Sequence, residues 1–183
     1  MLKSNKPLQA KTNLRSKATL KAKTKLGKKP KSPRAKLKDE AWTWFSRYVR
    51  IRDTKHTQGA WYGTCITCSH NGVVAYVDDT GKLRYAKGWD AGHYISRGNW
   101  YLRHNEENVN LQCKFNCNKM NSGNIEKYKI ALDVKYGVGT REKLDRLAQE
   151  NKGYNPPKEE LEQVINDSKE QVAWHEKQIK QIN

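Results

Sequence analysis

With 183 residues, 36% of them hydrophobic and a mean hydropathy of -1.03, the chain has material for one domain with a modest core plus solvated tails, not for two full domains. No apolar run approaches the ~20 residues that span a bilayer, and Met1 leads into lysines without an apolar signal region, so a membrane protein is excluded and a soluble, intracellular one is expected. The formal charge of +17 points to a polyanionic partner.

That charge is unevenly placed. Residues 1–38 hold 14 Lys or Arg and no acid, leaving 22 bases against 19 acids in the rest. A segment of this composition, with scattered Leu and Pro and no periodicity, reads as a disordered basic arm suited to nucleic acid. Each phosphate it neutralises releases counterions and adds sequence-blind affinity that falls with salt.

From Asp39 the pattern becomes helical. In AWTWFSRYVRIRD, Trp42, Phe45 and Val49 recur at helical spacing, with Trp44, Tyr48 and Ile51 on a neighbouring stripe, and the helix is predicted to end near Asp53. At this spacing the aromatics read as core, while Arg47, Arg50 and Arg52 are the candidates for backbone phosphate. Residues 54–63 read as a Gly-containing loop. It delivers Cys65-Ile66-Thr67-Cys68, where two thiolates in a tight turn can face one ion. The β-branched and aromatic run VVAYVD, the turn residues Asp79, Thr80 and Gly81, and KLRYAKGW predict a hairpin.

The stretch from Trp89 to Asn124 concentrates the chemistry: Asp90 three residues before His93, a central Asn108, then Cys113, Cys117 and Asn118. Two cysteine pairs with none left over, in a compartment where disulfides are disfavoured, predict a single structural Zn²⁺ held by Cys65, Cys68, Cys113 and Cys117. His70 is close in sequence, but beside four cysteines it reads as a bystander. Asp90 and Asn118 offer the oxygens that a hard cation such as Mg²⁺ or Mn²⁺ prefers, and His93 is the natural general base. Residues three apart in a regular strand face opposite sides, so Gly92 is expected to support a bulge that brings Asp90 and His93 together.

Downstream, Ile125, Tyr128, Leu132 and Tyr136 form one helical stripe stopped by Gly137. Thr140 opens a second helix closed by Gly153, and Asn155-Pro156 precede a third. In that last helix Leu161, Ile165, Ser168, Val172, His175, Ile179 and Ile182 alternate steps of four and three. This seam suits either packing on its own domain or a homodimer through residues 158–182.

These residues carry a resemblance. Cys65/Cys68, Asp90-Ala91-Gly92-His93, Asn108 and Cys117-Asn118 resemble the HNH, or ββα-metal, nuclease pattern. WDAGHY, NEENVNLQC and SGN before a helix are similar more specifically to the NinG/Rap family of lambdoid phages, over roughly residues 40–137. The Asp-x-x-His spacing and the Asn after the last Cys are also similar to phage endonuclease VII. The resemblance implies a recombination endonuclease of the bacterial host cytoplasm that cuts branched DNA, such as Holliday junctions and displacement loops, leaving a 5′-phosphate and a 3′-hydroxyl. It implies His93 as general base, Asp90 and Asn118 as catalytic metal ligands, and Asn108 as the residue that pins the loop carrying His93. Two departures stand out. Three residues, KFN, separate the second cysteine pair, and Asn121 occupies a position often held by lysine, so that a phosphate contact is expected from Lys119 or Lys127. The expected fold is α+β: a disordered arm over 1–38, a zinc-stapled HNH-like nuclease domain over 39–137, and a helical extension over 138–183. The rival reading is a zinc-stapled DNA-binding protein without catalysis.

Overall fold

A computed structural model of the chain describes residues 30–180; residues 1–29 of the basic arm, and Ile182 of the seam, lie outside them. The first helix, α1 (Pro33–Arg52), starts earlier than expected. Ser32 caps it by accepting the Ala35 N–H at 3.3 Å, and Pro33 occupies the first helical position, where a missing N–H costs nothing. Residues 33–38 therefore belong to a helix and not to an arm, because Leu37 already has a core to join.

The segment expected to be a loop is a hairpin. Strands β1 (Thr54–Thr57) and β2 (Ala60–Thr64) pair across a two-residue turn in which Gln58 (φ 50°) and Gly59 (φ 77°) are both left-handed. Positive φ at both central positions matches the right-handed twist of paired strands. β2 pairs in turn with β3 (Asn71–Val77), through a register shift at Trp61/Tyr62, and β3 with β4 (Leu83–Tyr85), closing a four-stranded antiparallel sheet. The β3–β4 hairpin stands where its turn residues place it.

A second, two-stranded sheet pairs β5 (Trp89–His93) with β6 (Val109–Cys113). It leads into a π-helical turn, Lys114–Lys119, then α2 (Ile125–Tyr136), α3 (Thr140–Glu150) and α4 (Lys158–Lys180). Gly137, at φ 105°, terminates α2 as its sequence indicates.

Side-chain packing joins these parts. Phe45 and Val49 of α1 meet Ala91 and Val109 of the small sheet, and Ile51 meets Trp61 and Ala75 of the large one. Tyr128 and Leu132 of α2 pack with Tyr94, Leu102 and Leu144. The aromatic stripe of α1 is therefore core or core margin, as its spacing indicates. Leu161 and Ile165 of α4 close over Ala41, Leu37 and Trp44 of α1, and Ser168 and Val172 are buried too. This half of the α4 seam thus packs on its own chain. No helix among the described residues is long and apolar enough to cross a membrane.

Candidate active site and metal centre

The first cysteine pair lies in the loop between β2 and β3, where the Cys65 N–H donates to the His70 carbonyl at 2.8 Å and the Ser69 N–H to the Cys65 carbonyl at 3.0 Å. The second pair spans the end of β6 and the π-helical turn. All four sulfurs lie within 4.8 Å of one another, and Cys68 and Cys113 are 3.7 Å apart. Tetrahedral zinc with Zn–S near 2.3 Å sets sulfurs about 3.8 Å apart, whereas a disulfide needs about 2.05 Å. The four cysteines are thus placed to hold a zinc ion, and His70 instead stacks on Trp89 at 5.6 Å.

Electrostatics support the same assignment. Burial and the neighbouring sulfurs push the Cys113 thiol well up, so that thiolates crowded here require a cation. Burial opposes ionisation of Cys65 as well, but hydrogen bonds from Thr67 and the Cys113 N–H outweigh it and lower that thiol to about 7. Around the sulfurs pack Val74, Trp89 and Leu111, which tie the two sheets together.

The extra residue in the second pair has a structural expression. An α-helical turn has no room for one more residue, whereas a π turn, bonded five residues apart, accommodates it. Met120 N–H accordingly donates to the Phe115 carbonyl at 2.9 Å, and Gly123 N–H to the Asn118 carbonyl at 3.1 Å.

Beside the zinc ligands opens a cleft of about 630 Å³. α1 contributes Trp42, Ser46 and Arg50, β5 contributes Asp90 and His93, and the π-helical turn contributes Lys114, Asn118 and Lys119, with Arg97 from the loop after β5. Asn118 Nδ2 donates to Asp90 Oδ2 at 3.0 Å, and Lys114 Nζ lies 3.8 Å from the other carboxylate oxygen. Among the described residues Asp90 is the only acid lining the cleft, against Arg50, Arg97, Lys114 and Lys119. A cleft of that sign attracts phosphate.

His93 packs against Trp42, ring centroids 4.7 Å apart and planes tilted by 30°. Its Nε2 is 3.1 Å from the Arg103 carbonyl, which can only accept, so Nε2 carries the proton and Nδ1 is the basic nitrogen. Burial lowers the imidazole to about 4, against a smaller upward pull from that carbonyl and with help from the Arg103 and Arg97 charges. The ring is therefore neutral at pH 7.

The expected bulge is absent. Asp90, Ala91, Gly92 and His93 pair regularly with Gln112, Leu111, Asn110 and Val109, and the half-buried Asp90 and His93 border the cleft together with the buried Ala91 between them. Gly92 serves another purpose: a Cβ there would stand 2.9 Å from Gln112 Cβ and Cδ, and closer still to Oε1. Buried Gln112 uses that space while its Nε2 donates to the Gly123 carbonyl at 2.6 Å.

Asn108 is fully buried. Its side-chain oxygen accepts the Ile95 N–H at 2.6 Å, and its amide donates to the carbonyls of Ile95 (3.1 Å) and Leu102 (2.8 Å). It thereby ties down the loop that follows His93. Arg52, a phosphate candidate by sequence, is committed instead to Asp53 at 2.9 Å and to the Val109 carbonyl, because Asp53 is buried and needs a counter-charge. Lys119 lines the cleft, whereas Lys127 lines a separate groove. The sequence marked Trp42 only as core and did not mark Arg97 or Lys114, since each reaches the cleft from a different element.

A family model described as Bacteriophage Lambda NinG protein matches residues 1–178. No curated protein and no solved structure matches the chain.

Proposed function

The chain belongs to the NinG family, and from that premise we propose that it is a metal-dependent endodeoxyribonuclease of phage recombination that hydrolyses phosphodiesters in branched DNA. One observation carries the proposal: Asp90, His93 and Asn118 border one cleft whose other charged groups are all cationic. The order β5, β6, helical turn is also what an HNH, or ββα-metal, core requires of the elements bearing those residues.

The donor set fits a hard cation: the Asp90 carboxylate accepts from the Asn118 Nδ2, and the carboxylate and the amide oxygen of Asn118 are the kinds of ligand such a cation prefers. Held by Asp90 and Asn118, Mg²⁺ or Mn²⁺ would supply positive charge to the phosphate oxygens. His93 accepts a proton at Nδ1 from the attacking water, whose oxygen forms the new bond to phosphorus. The bond from phosphorus to the 3′-oxygen breaks, leaving a 5′-phosphate, and the departing oxygen takes a proton to become a 3′-hydroxyl. Asn108 acts at a distance from the phosphate, by fixing the loop whose Arg103 carbonyl sets the His93 tautomer. Arg50, Arg97, Lys114 and Lys119 position the substrate backbone.

A second reading rests on the same contact. Asp90 held by Asn118 and Lys114 also describes a structural carboxylate in a zinc-stapled DNA-binding protein without catalysis. Incubating the full chain with a four-way junction, a displacement loop and linear duplex, with and without Mg²⁺, separates the two. Cation-dependent cutting concentrated on the branched DNAs supports the nuclease; salt-sensitive binding with all three left intact supports the rival.

A further inference from the structure

We propose that Phe115 and Met120 form a stacking site for an unpaired nucleobase at the edge of the cleft. The inference rests on the reading of the cleft as a site for DNA and adds the feature that would make it respond to a branch.

The observation begins with exposure. Of the two phenylalanines in the chain, Phe45 is buried, while Phe115 is 54% exposed and Met120 is 78% exposed. Their position is not accidental. Phe115 follows Lys114 and Met120 follows Lys119, and both lysines line the cleft that Phe115 and Met120 themselves stand outside. Phe115 is also one of the three residues enclosed by the second cysteine pair, where the additional residue forces the π-helical turn. Turns of this kind occur mostly as single insertions, and often at functional sites.

The pair is held rigidly. Cys113 and Cys117 bracket Phe115 from buried positions, the Met120 N–H closes on the Phe115 carbonyl at 2.9 Å, and Asn121 Nδ2 donates to the Asn116 carbonyl at 2.7 Å. The backbone that carries the ring is thus tied down, and the ring stands exposed on it, already positioned for a ligand. The setting then selects the ligand. Lys119 Nζ stands 5.4 Å from the Phe115 ring centroid, so a flat apolar surface and a mobile cation are presented together. A nucleotide offers the matching pair, a π-face for Phe115 and a phosphate for Lys119. Aromatic platforms flanked by basic side chains are how sequence-tolerant single-strand binding works, and apolar side chains entering between base steps hold DNA in bent or opened form. Paired, stacked bases in a linear duplex do not expose that face. Bases at a branch do.

The test uses the full zinc-loaded chain carrying His93→Ala, so that DNA is bound without being cut. Its affinity is measured by fluorescence anisotropy for a linear duplex and for the same duplex with one unpaired 2-aminopurine at a fork. Adding Phe115→Ala is expected to weaken binding to the forked DNA about tenfold, to leave the linear duplex unchanged, and to relieve the quenching of 2-aminopurine emission that stacking causes. Phe115→Trp should preserve both affinity and quenching, and Met120→Ala should lose part of each. Unchanged zinc content in every variant establishes that the turn is intact. Equal weakening on both DNAs, or no change on either with emission never quenched, overturns the proposal. So does a shift to smaller species in sedimentation with DNA binding retained, which would mark the patch as a protein interface. If the stacking signals appear but the His93-containing chain cuts nothing, the nuclease reading falls and the stacking site stands.

Discussion

A single methyl group at Gly92 offers a sharp check on how β5 and β6 build the site. In Gly92→Ala the new Cβ would stand 2.9 Å from Gln112 Cβ and Cδ, with Oε1 closer still, so Gln112 must move. Gln112 is fully buried and has nowhere to go without releasing the Gly123 carbonyl it holds at 2.6 Å. Overpacking of this kind costs ~1–3 kcal/mol. A buried carbonyl left without its donor costs another ~1–3 kcal/mol. Against this, alanine in a strand regains ~0.5–1 kcal/mol of backbone entropy relative to glycine. The net expectation is a loss of about 3 kcal/mol, or roughly 10 °C in Tm for a domain of this size. Urea titration of the zinc-loaded protein measures it directly. The decisive arm is the double-mutant cycle: with Gln112→Gly already present, which removes Cβ as well as Cδ and Oε1, Gly92→Ala should cost nothing or stabilise slightly, giving strong coupling between the two sites. A Gly92→Ala loss below about 0.5 kcal/mol, or additive effects in the cycle, would refute the argument that Gly92 exists to admit Gln112.

Three further outcomes follow from other parts of the fold. Cys113→Ser should abolish zinc binding and native structure together, since structural zinc in small modules contributes ~10–16 kcal/mol; zinc content and near-UV circular dichroism check this, and a folded, zinc-free variant would contradict it. Leu161→Ala should cost ~2–5 kcal/mol without changing the sedimentation coefficient of the folded protein, because Leu161 packs on Ala41 and its neighbours in the same chain; a change from dimer to monomer would show that this helix face serves association. His104, packed edge-on against Phe45 at 5.4 Å, is lowered by burial to about 4, with the Arg103 and His93 charges adding to the effect. Its folded value lies below the unfolded value near 6.5, so the unfolded chain takes up the proton first and stability, full above pH 6.5, falls as pH drops toward 4. The slope approaches ~1.4 kcal/mol per pH unit for one such group. His104→Gln should flatten the stability profile between pH 6.5 and 5.5, and an unchanged slope would exclude His104 as a source.

Much of the architecture could be read from local signals. The cysteine pairs, the β3–β4 turn residues, the Tyr128/Leu132 stripe with its terminal Gly137, and the aromatic face of α1 each announce themselves within a dozen residues. What escaped was either weakly coded or non-local. The β1–β2 turn uses Gln58-Gly59 where Asn-Gly would have been conspicuous, and β1, before it, alternates between half-buried and exposed positions with little apolar contrast. The start of α1 was signalled by Ser32-Pro33, but the closely spaced basic residues on either side masked it. Gly92 reads as a bulge only while the strand facing it is unknown; once Gln112, paired with Asp90 two residues away, is placed diagonally across from it, the missing side chain has a packing reason. Arg52 shows the same limit, since its buried partner Asp53 converts a plausible phosphate contact into an internal ion pair. In the cleft, Asp90, His93 and Asn118 were legible from their spacing, whereas Trp42, Arg97 and Lys114 required the fold to bring four segments together.

The most direct measurement of the central claim compares the wild-type chain with His93→Ala, both carrying equal zinc, in a Mg²⁺-dependent cleavage assay on a four-way junction. The account predicts equal binding of the junction by the two proteins and a rate lower by ~10²–10⁴ for the variant, the usual worth of a positioned general base. Wild-type and variant proteins that cut at the same rate, or a wild-type protein that binds the junction and never cuts it, would contradict the assignment of this cleft as a nuclease site.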